Sequence, residues 1–196
     1  MTVETLHTAP IGLEVGSRQR NPGSRQRNQD KELGLFRIIR GLGSPWDATG
    51  ERQAVAMYSG DSPSAPLLAD PLARVELRAQ WEEVYAAPDA RAFGAIDQFI
   101  FMIEVAVDPE VTTEFDTWYT EKHVPDVRPA GLTRARRFRR IGSAATFLAT
   151  YEMASPGVLT SEALARVRGF EHFTPHILSI DRAVLYPFTT YETQSV

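Results

Sequence analysis

The second half of the chain alternates strand-like and helix-like patterns, and the order of these patterns constrains the fold more than any other feature. Residues 98–107, QFIFMIEVAV, form an apolar run rich in β-branched and aromatic residues, which is typical of a buried strand. Asp108 and Pro109 interrupt this run, and proline suits the first turn of a helix. Residues 110–123, EVTTEFDTWYTEKH, place their aromatic side chains on one apolar stripe, so we predict a helix there.

The alternation continues to the end of the second half. Pro125 and Pro129 are predicted to end the first helix, and Gly131 marks the turn after it. Two strands, a second helix and a last strand are then predicted in turn for residues 132–142, 146–153, 157–170 and 176–188. Thr160 or Ser161 is the candidate cap of the second helix. The resulting order, β-α-β-β-α-β, is that of a ferredoxin-like unit.

Short matches about 92 residues apart indicate that this unit is duplicated. PLARV at residues 71–75 matches ALARV at residues 163–167, and AMYSGDSP at residues 56–63 matches ATYEMASP at residues 149–156. Repeated matches at nearly one offset are typical of an internal repeat. We therefore predict two domains, a degenerate N-terminal copy at residues 1–96 and a cleaner C-terminal copy at residues 97–196.

The N-terminal copy is predicted to lack its first helix. Strands are predicted for residues 6–15, 32–41 and 52–59, and a helix for residues 71–84, PLARVELRAQWEEV. Residues 16–29, GSRQRNPGSRQRNQ, stand where the first helix would be and contain no apolar side chain to bury. They are interpreted as a solvated loop, with an anion-steering flap as the alternative.

A ferredoxin-like sheet carries two helices on one face, and its bare second face must be buried. We therefore predict an α+β fold in which the antiparallel sheets of two tandem units face each other as a barrel. Such a barrel would enclose a cavity, and a small molecule would bind in it.

Composition excludes several other classes of protein. The net charge of -4 gives no reason to expect a nucleic-acid partner, and no apolar run approaches the roughly 18 residues of a membrane span. Cysteine is absent, which excludes disulfides and thiolate metal sites. No phosphate-binding loop, dinucleotide fingerprint or serine-hydrolase elbow occurs, so no cofactor is predicted. The N-terminus lacks the pattern of a signal peptide, and a cytoplasmic location is expected.

The stretch FDTWYTEKHVPDVRPAGLTRARRFRR resembles the EthD-like branch of the dimeric α/β-barrel superfamily. The residues that carry the resemblance are Trp118, Tyr119, His123, Pro125, Gly131, Ala135 and Phe138. The chain departs from the pattern at Lys122, where glutamate is usual, and at Ala130, where proline often precedes the glycine. The resemblance implies the barrel fold and a small-molecule partner with a carbonyl group or an aromatic ring, and it allows a homodimer. Related activities include dehydratases, cyclases, cofactor-free monooxygenases and haem enzymes.

His123 and Tyr119 are the candidate catalytic residues. They are four residues apart on the predicted helix and can touch, at the edge of the apolar stripe. Imidazole titrates near neutrality and can transfer a proton in either direction, and the family pattern adds to this interpretation. The alternative is that His123 packs at a helix end, where a cation is favoured. Asp116 is about two turns from His123, roughly 10 Å, and cannot orient the imidazole directly.

The remaining candidates would contact substrate: Trp118, Asp116, His172, His176, Tyr151, Tyr58 and Arg136. His172 and His176 have the spacing of helical metal ligands, but Pro175 between them disfavours a regular turn, so no metal site is predicted. Tyr58 and Tyr151 are related by the repeat, and core packing is the alternative for both. Arg136 lies on a basic strand and could bind a carboxylate if it faced the cavity.

These observations favour a small-molecule enzyme that uses acid–base chemistry of the lyase type, such as dehydration, elimination or cyclisation next to a carbonyl. His123 would be the base or acid, and Tyr119 would hydrogen-bond the substrate. One alternative is a cofactor-independent or haem-dependent monooxygenase on the same fold. The other is a protein that binds a small ligand without catalysis.

Overall fold

The computed structural model describes residues 5–12, 33–39, 53–59, 74–75 and 79–187, with side chains for residues of the last range. It contains nine strands in these parts of the chain, which we number in chain order. They are β1 Thr5–Gly12, β2 Leu33–Ile39, β3 Gln53–Ser59, β4 Arg74–Val75, β5 Ala79–Ala86, β6 Phe99–Val107, β7 Thr133–Arg140, β8 Thr146–Met153 and β9 Ile177–Pro187.

All nine strands belong to one continuous antiparallel sheet. The order is β3-β2-β9-β6-β8-β7-β5-β1-β4, and β1 also pairs with β3 from Leu6 to Gly12. Eight strands therefore close into a ring, and β4 continues the edge of β1 beyond β5. The expectation of two facing sheets is corrected in this respect, because β2 pairs with β9 and β5 pairs with β7, which joins the two halves through backbone hydrogen bonds.

The C-terminal half has the predicted β-α-β-β-α-β order. Its strands lie in the order β9-β6-β8-β7, which is the ferredoxin-like arrangement. The helices are α1 Thr112–Trp118, α2 Val124–Val127 and α3 Glu162–Val167, with short 3₁₀ turns at Phe93–Ala95, Pro109–Val111, Pro156–Thr160 and Glu171–His176. Ser161 caps α3 as predicted, since its Oγ accepts a hydrogen bond from the Leu164 amide at 3.2 Å.

A π-helical turn, Tyr119–His123, joins α1 to α2. In this turn the Val124 amide donates to the Tyr119 carbonyl, five residues back. Single π-helical turns often occur at functional sites. The helix continues past Pro125, because this proline lies in the first turn of a new α-helical segment, where it is tolerated. It ends at Val127, just before Pro129, the other proline predicted to end it.

The helix predicted for residues 71–84 is wrong. Backbone pairing places β4 and β5 there instead, and Ala79 and Trp81 are buried while Gln80 between them is exposed. This period-two burial is that of a strand with one face in a core. The PLARV and ALARV stretches thus differ in structure, since the first contains β4 and the second lies in α3. The strands predicted at residues 6–15, 32–41 and 52–59 are present as β1, β2 and β3, and residues 16–29 lie outside the described residues.

The two faces of the sheet carry separate cores. Inside the ring, Trp81, Ile100, Met102 and Phe138 belong to one cluster of buried residues. Outside it, α1, the π-helical turn and α3 pack on β6, β8 and β9 around Phe115. Among the described helices, none is long and apolar enough to cross a membrane.

Candidate functional site

The described part of the chain contains a cavity of about 520 Å³ between the helices and the outer face of the sheet. This volume is within the range of small-molecule sites. The lining residues are Phe101, Ile103, Tyr119, His123, Val127, Leu132, Tyr151, Leu159, Leu164, Arg168, Gly169, Phe170 and Arg182. The cavity described here lies outside the ring, under the helices of the C-terminal half. The predicted cavity between the two halves also involves side chains outside the described residues and stays a prediction.

His123 lies in the cavity wall at the last position of the π-helical turn. It is 9% exposed and stands among aromatic rings: its centroid is 5.1 Å from that of Trp118, which stacks on it, and 4.7 Å from that of Tyr119. Phe170 stacks on it more distantly, at 6.3 Å. Within the described residues, neither ring nitrogen makes a hydrogen bond to protein, so both are left for a ligand or solvent.

The imidazole of His123 is neutral at pH 7. Burial lowers its pKa to about 4, because the charged form loses solvation, and the nearby cations Arg137 and Lys122 act in the same direction. The carboxylates of Asp126 and Glu171 oppose this shift without reversing it. A neutral imidazole can accept a hydrogen bond or a proton through one nitrogen and donate through the other.

Tyr119 and Tyr151 form a buried pair of phenols next to His123. The Tyr151 hydroxyl donates to the Tyr119 oxygen, with the two oxygens 3.1 Å apart. Burial raises the pKa of both phenols, so both are protonated at neutral pH. Since Tyr119 accepts from Tyr151, its own proton is available for a ligand in the cavity.

Arg137 lies behind Tyr119, away from the cavity. It is fully buried, and its guanidinium carbon is 4.3 Å from the centroid of the Tyr119 ring. Its Nη1 is 2.7 Å from Asp116 Oδ1, donates to the Asp116 carbonyl at 3.0 Å and also contacts the Thr120 hydroxyl. Asp116 therefore anchors a buried cation and does not line the cavity.

Trp118 is also not a lining residue, and it stacks on His123, which is one. Its indole Nε1 donates to Glu171 Oε2 at 3.2 Å, and Glu171 Oε1 is 2.7 Å from Lys122 Nζ. These contacts hold the indole against the imidazole on the side away from the cavity. Lys122 stands where the resembled pattern has glutamate. It pairs with Glu171, from the segment before β9, and its Nζ is also 3.0 Å from Asp126 Oδ2.

The structure does not bring the other predicted residues to the cavity. Arg136 faces the interior of the ring, where its Nε contacts Glu83 Oε1 at 2.6 Å. His172 is exposed and His176 is half-buried, and each lies 3.8 Å from a carboxylate oxygen, of Glu114 and Asp108 respectively. The described residues contain no group of three side chains suited to bind a metal. Tyr58 lies on β3, paired with residue 7 of β1, and its side chain is outside the described part.

Two charged residues of the cavity lining were not predicted from the sequence. Arg182 lies on β9 opposite Ile103 of β6, and Arg168 directly follows α3. The strand alternation that puts Val184 on the outer face also puts Arg182 there, so the alternation in β9 could have predicted that Arg182 faces the helices. Arg168 precedes Gly169, whose φ of +116° makes the turn that brings both neighbours to the cavity.

Part of the chain is similar in sequence to a known family. Residues 98–161 match the sequence profile of a family described as a domain of unknown function, DUF4286. No curated protein is similar enough in sequence to count as a match.

Solved structures match over nearly the whole chain at low identity. A proposed chlorite dismutase has a TM-score of 0.62 and 12% identity, covering 98% of each chain. A proposed monooxygenase from Fusobacterium nucleatum subsp. nucleatum has a TM-score of 0.61 and 12% identity, covering 95% of this chain and 93% of that one. A ferredoxin-fold protein from Listeria monocytogenes, related to antibiotic biosynthesis monooxygenases, has a TM-score of 0.53 and 6% identity, covering 96% of each. These likenesses show a ferredoxin-like α+β fold with an antiparallel sheet.

Proposed function

We propose that the cavity under the C-terminal helices binds a small organic molecule and that His123 and Tyr119 act on it by acid–base chemistry. The observation that carries the proposal is the pairing of a neutral imidazole, without a hydrogen bond to described residues, and a phenol with a proton to donate, both in the wall of one cavity. A packed helix end would ordinarily leave no such polar pair facing open volume.

The reaction we propose is of the lyase type, next to a carbonyl group. The Tyr119 hydroxyl would donate to the substrate carbonyl oxygen, and Tyr151 behind it would support the phenol as negative charge develops on that oxygen. His123 would accept the proton from the adjacent carbon. Loss of a leaving group, or ring closure, would then follow. The rings of Trp118 and Phe170 stack on the imidazole and limit its contact with water to the cavity side.

The monooxygenase alternative is favoured by the names of two solved structures with this fold. In its haem-dependent form, His123 is the described residue suited to bind iron, because its imidazole is neutral and faces the cavity. The fit of His123 to iron is incomplete. Metal-binding histidines are usually oriented by a hydrogen bond on the second ring nitrogen, and His123 makes no such bond to the described residues. A binding protein without catalysis would use the same cavity.

We also propose that the chain is a duplication of one ferredoxin-like unit, with the boundary near residue 96. The ring order supports this proposal. Strands β5-β1-β3-β2 follow one another in the N-terminal half as β9-β6-β8-β7 do in the C-terminal half. Each half therefore has its fourth, first, third and second strands in sequence around the ring, counting β4 and β5 as one interrupted strand.

Solvent exchange tests the proposed chemistry without the natural substrate in hand. Purified protein is incubated in deuterated water with a panel of aromatic β-hydroxy and β-keto acids, and loss of the proton next to the carbonyl is followed by NMR. We expect exchange with at least one compound, and a decrease of roughly 10²–10⁴-fold in His123→Gln, which keeps polarity but is not a base. Normal exchange in a folded His123→Gln protein would contradict the role of His123. An intense Soret absorption band in the purified protein would favour the haem alternative instead.

A further inference from the structure

Two arginines at the cavity differ from the other arginines of residues 79–187. Within the described residues, the guanidinium groups of Arg168 and Arg182 have no carboxylate within salt-bridge distance. Each of the others in that range contacts at least one: Arg91, Arg128, Arg134, Arg136, Arg137, Arg139, Arg140 and Arg166. The two exceptions both line the cavity.

A shortage of carboxylates does not explain these two exceptions. The chain has 25 acidic side chains and 21 basic ones, so unpaired cations are not expected from its composition. No aspartate or glutamate is among the described residues that line the cavity. A concave site with cations and no anions has a positive potential, which attracts a negatively charged ligand.

The backbone directs both arginines to the cavity. Arg182 is paired with Ile103 across β6 and β9, and Ile103 is itself a lining residue. The charge of Arg182 lowers the pKa of Tyr119 against the effect of burial, so the guanidinium is close enough to act on the phenol. Arg168 enters the lining through the turn at Gly169, whose positive φ a larger residue would adopt only with strain.

The rest of the lining is largely apolar. Phe101, Ile103, Leu132 and Phe170 are lining residues, and the helices add aliphatic side chains such as Leu164. Such walls gain free energy by covering an apolar body and gain little from a small hydrated ion. The volume of about 520 Å³ is also far larger than an inorganic anion requires.

We propose that the cavity binds an organic carboxylate with an apolar or aromatic body, and that Arg168 and Arg182 bind its negative charge. This inference rests on the proposed function only in taking the cavity as the ligand site. The apolar body lies against the strands and the α3 side, and the carboxylate lies toward the two guanidinium groups. Arg168 and Arg182 are then residues that determine specificity for charge, and His123 and Tyr119 remain the groups that act on the substrate.

A matched pair of probes tests this inference. We would measure the affinities of 2-naphthoate and the isosteric neutral 2-naphthamide by isothermal titration calorimetry. Wild-type protein should bind the carboxylate about tenfold or more tightly, the usual gain from a charge-assisted hydrogen bond. This preference should decrease at high salt because the guanidinium groups are exposed. Inorganic phosphate, which has charge and no apolar body, should bind at least about tenfold more weakly than naphthoate.

The variants identify the residues responsible. In the double variant Arg168→Gln/Arg182→Gln the preference for naphthoate should decrease to within about twofold, while naphthamide affinity stays nearly constant. Arg166→Gln is the matched control, since Arg166 is an exposed arginine of α3 that pairs with Glu162 outside the lining, and it should keep the preference. All three substitutions are at exposed positions, and equal melting temperatures would confirm folding.

The outcomes separate this inference from the proposed function. Equal binding of both probes to wild-type protein would overturn the charge preference and leave the cavity as a ligand site. A preference that persists in the double variant would place the charge elsewhere and would overturn the role of the two arginines. Phosphate binding as tight as naphthoate binding would overturn the requirement for an organic body. Failure of both naphthyl probes to bind would count against the cavity as a site for aromatic ligands and against this inference together.

Discussion

The guanidinium of Arg137 lies 4.3 Å from the centre of the Tyr119 ring, so a fully buried positive charge stands directly behind the cavity wall. Burial raises the pKa of Tyr119, and the Arg137 charge opposes that rise. The same cation is anchored to Asp116 of α1. The sheet and the helix that carries His123 are thus joined by one ion pair, and this relationship predicts where the site is most sensitive to substitution.

Arg137→Ala should strongly destabilise the protein. The substitution leaves a cavity and removes the buried partner of Asp116, which is 29% exposed and so retains water. We expect a loss of unfolding free energy of about 3 kcal/mol, at the lower end of the range for a broken buried pair. Arg139→Ala is the matched control on the same strand. Arg139 and its partner Glu82 are both 40% exposed, so about 1 kcal/mol or less is expected. Urea unfolding measures both values, and equal losses would contradict a structural role for the buried pair.

Tyr151→Phe should isolate the hydrogen bond between the two phenols. The variant keeps the ring in the core and leaves the buried Tyr119 oxygen without its donor. A decrease in unfolding free energy of about 0.5–1.5 kcal/mol is expected, the usual net value of such a bond. Tyr85→Phe provides the comparison, because Tyr85 packs on the same core and makes no hydrogen bond within the described residues. Its effect should stay within about 0.5 kcal/mol. If both variants were equally stable, the phenol pair would carry no net energy.

Gly131→Ala and Gly142→Ala separate backbone strain from packing. Both glycines have positive φ, +104° and +87°, so each alanine should cost about 1 kcal/mol or more. A Cβ at Gly131 would lie 3.0 Å from Val158 Cγ1, whereas a Cβ at Gly142 would meet nothing within 4 Å. Gly131→Ala should therefore be the more destabilising variant in thermal unfolding. The same result for both would show that Val158 moves aside without cost.

Local patterns were sufficient to predict the C-terminal fold, because its elements have clear periods. Apolar residues at helical spacing marked α1, and the run ending at Val107 marked β6. The pair Tyr119 and His123 was also predicted to touch, and their ring centroids are 4.7 Å apart. Each of these inferences depends on neighbours within a few residues along the chain.

Features that depend on distant partners were not predicted correctly. Residues 71–84 have a pattern compatible with a helix, and only pairing of β5 with β1 and β7 makes a strand of the segment from Ala79. The cavity on the outer face of the sheet was not predicted, since the sequence does not show which face of β6 the helices leave partly open. Arg182 was overlooked because its lack of a carboxylate partner among the described residues is a property of the folded chain. The π-helical turn has no distinct composition.

The pKa of His123 predicts a pH dependence of stability. In the folded protein burial lowers the pKa of His123 to about 4, whereas the pKa of an unfolded histidine is near the ordinary value of 6.5. As the pH falls below about 6.5, the unfolded chain binds a proton that the folded protein excludes, so stability is complete at higher pH and decreases toward pH 4. Between about pH 7.5 and about pH 4.5 the loss from this group should be roughly 2–3 kcal/mol.

His123→Phe removes the titration and keeps an aromatic ring between Trp118 and Phe170, so it is the variant to compare. Charges around the site, those of Lys122, Asp126 and Arg137, remain in both proteins, and their own pH effects cancel in the difference. We therefore expect the free energy of urea unfolding to fall more steeply with acidity in the wild type than in the variant, by the amount given above. Parallel decreases in the two proteins would show that the imidazole titrates normally, which requires a solvated His123 and a more open cavity wall than the structure has.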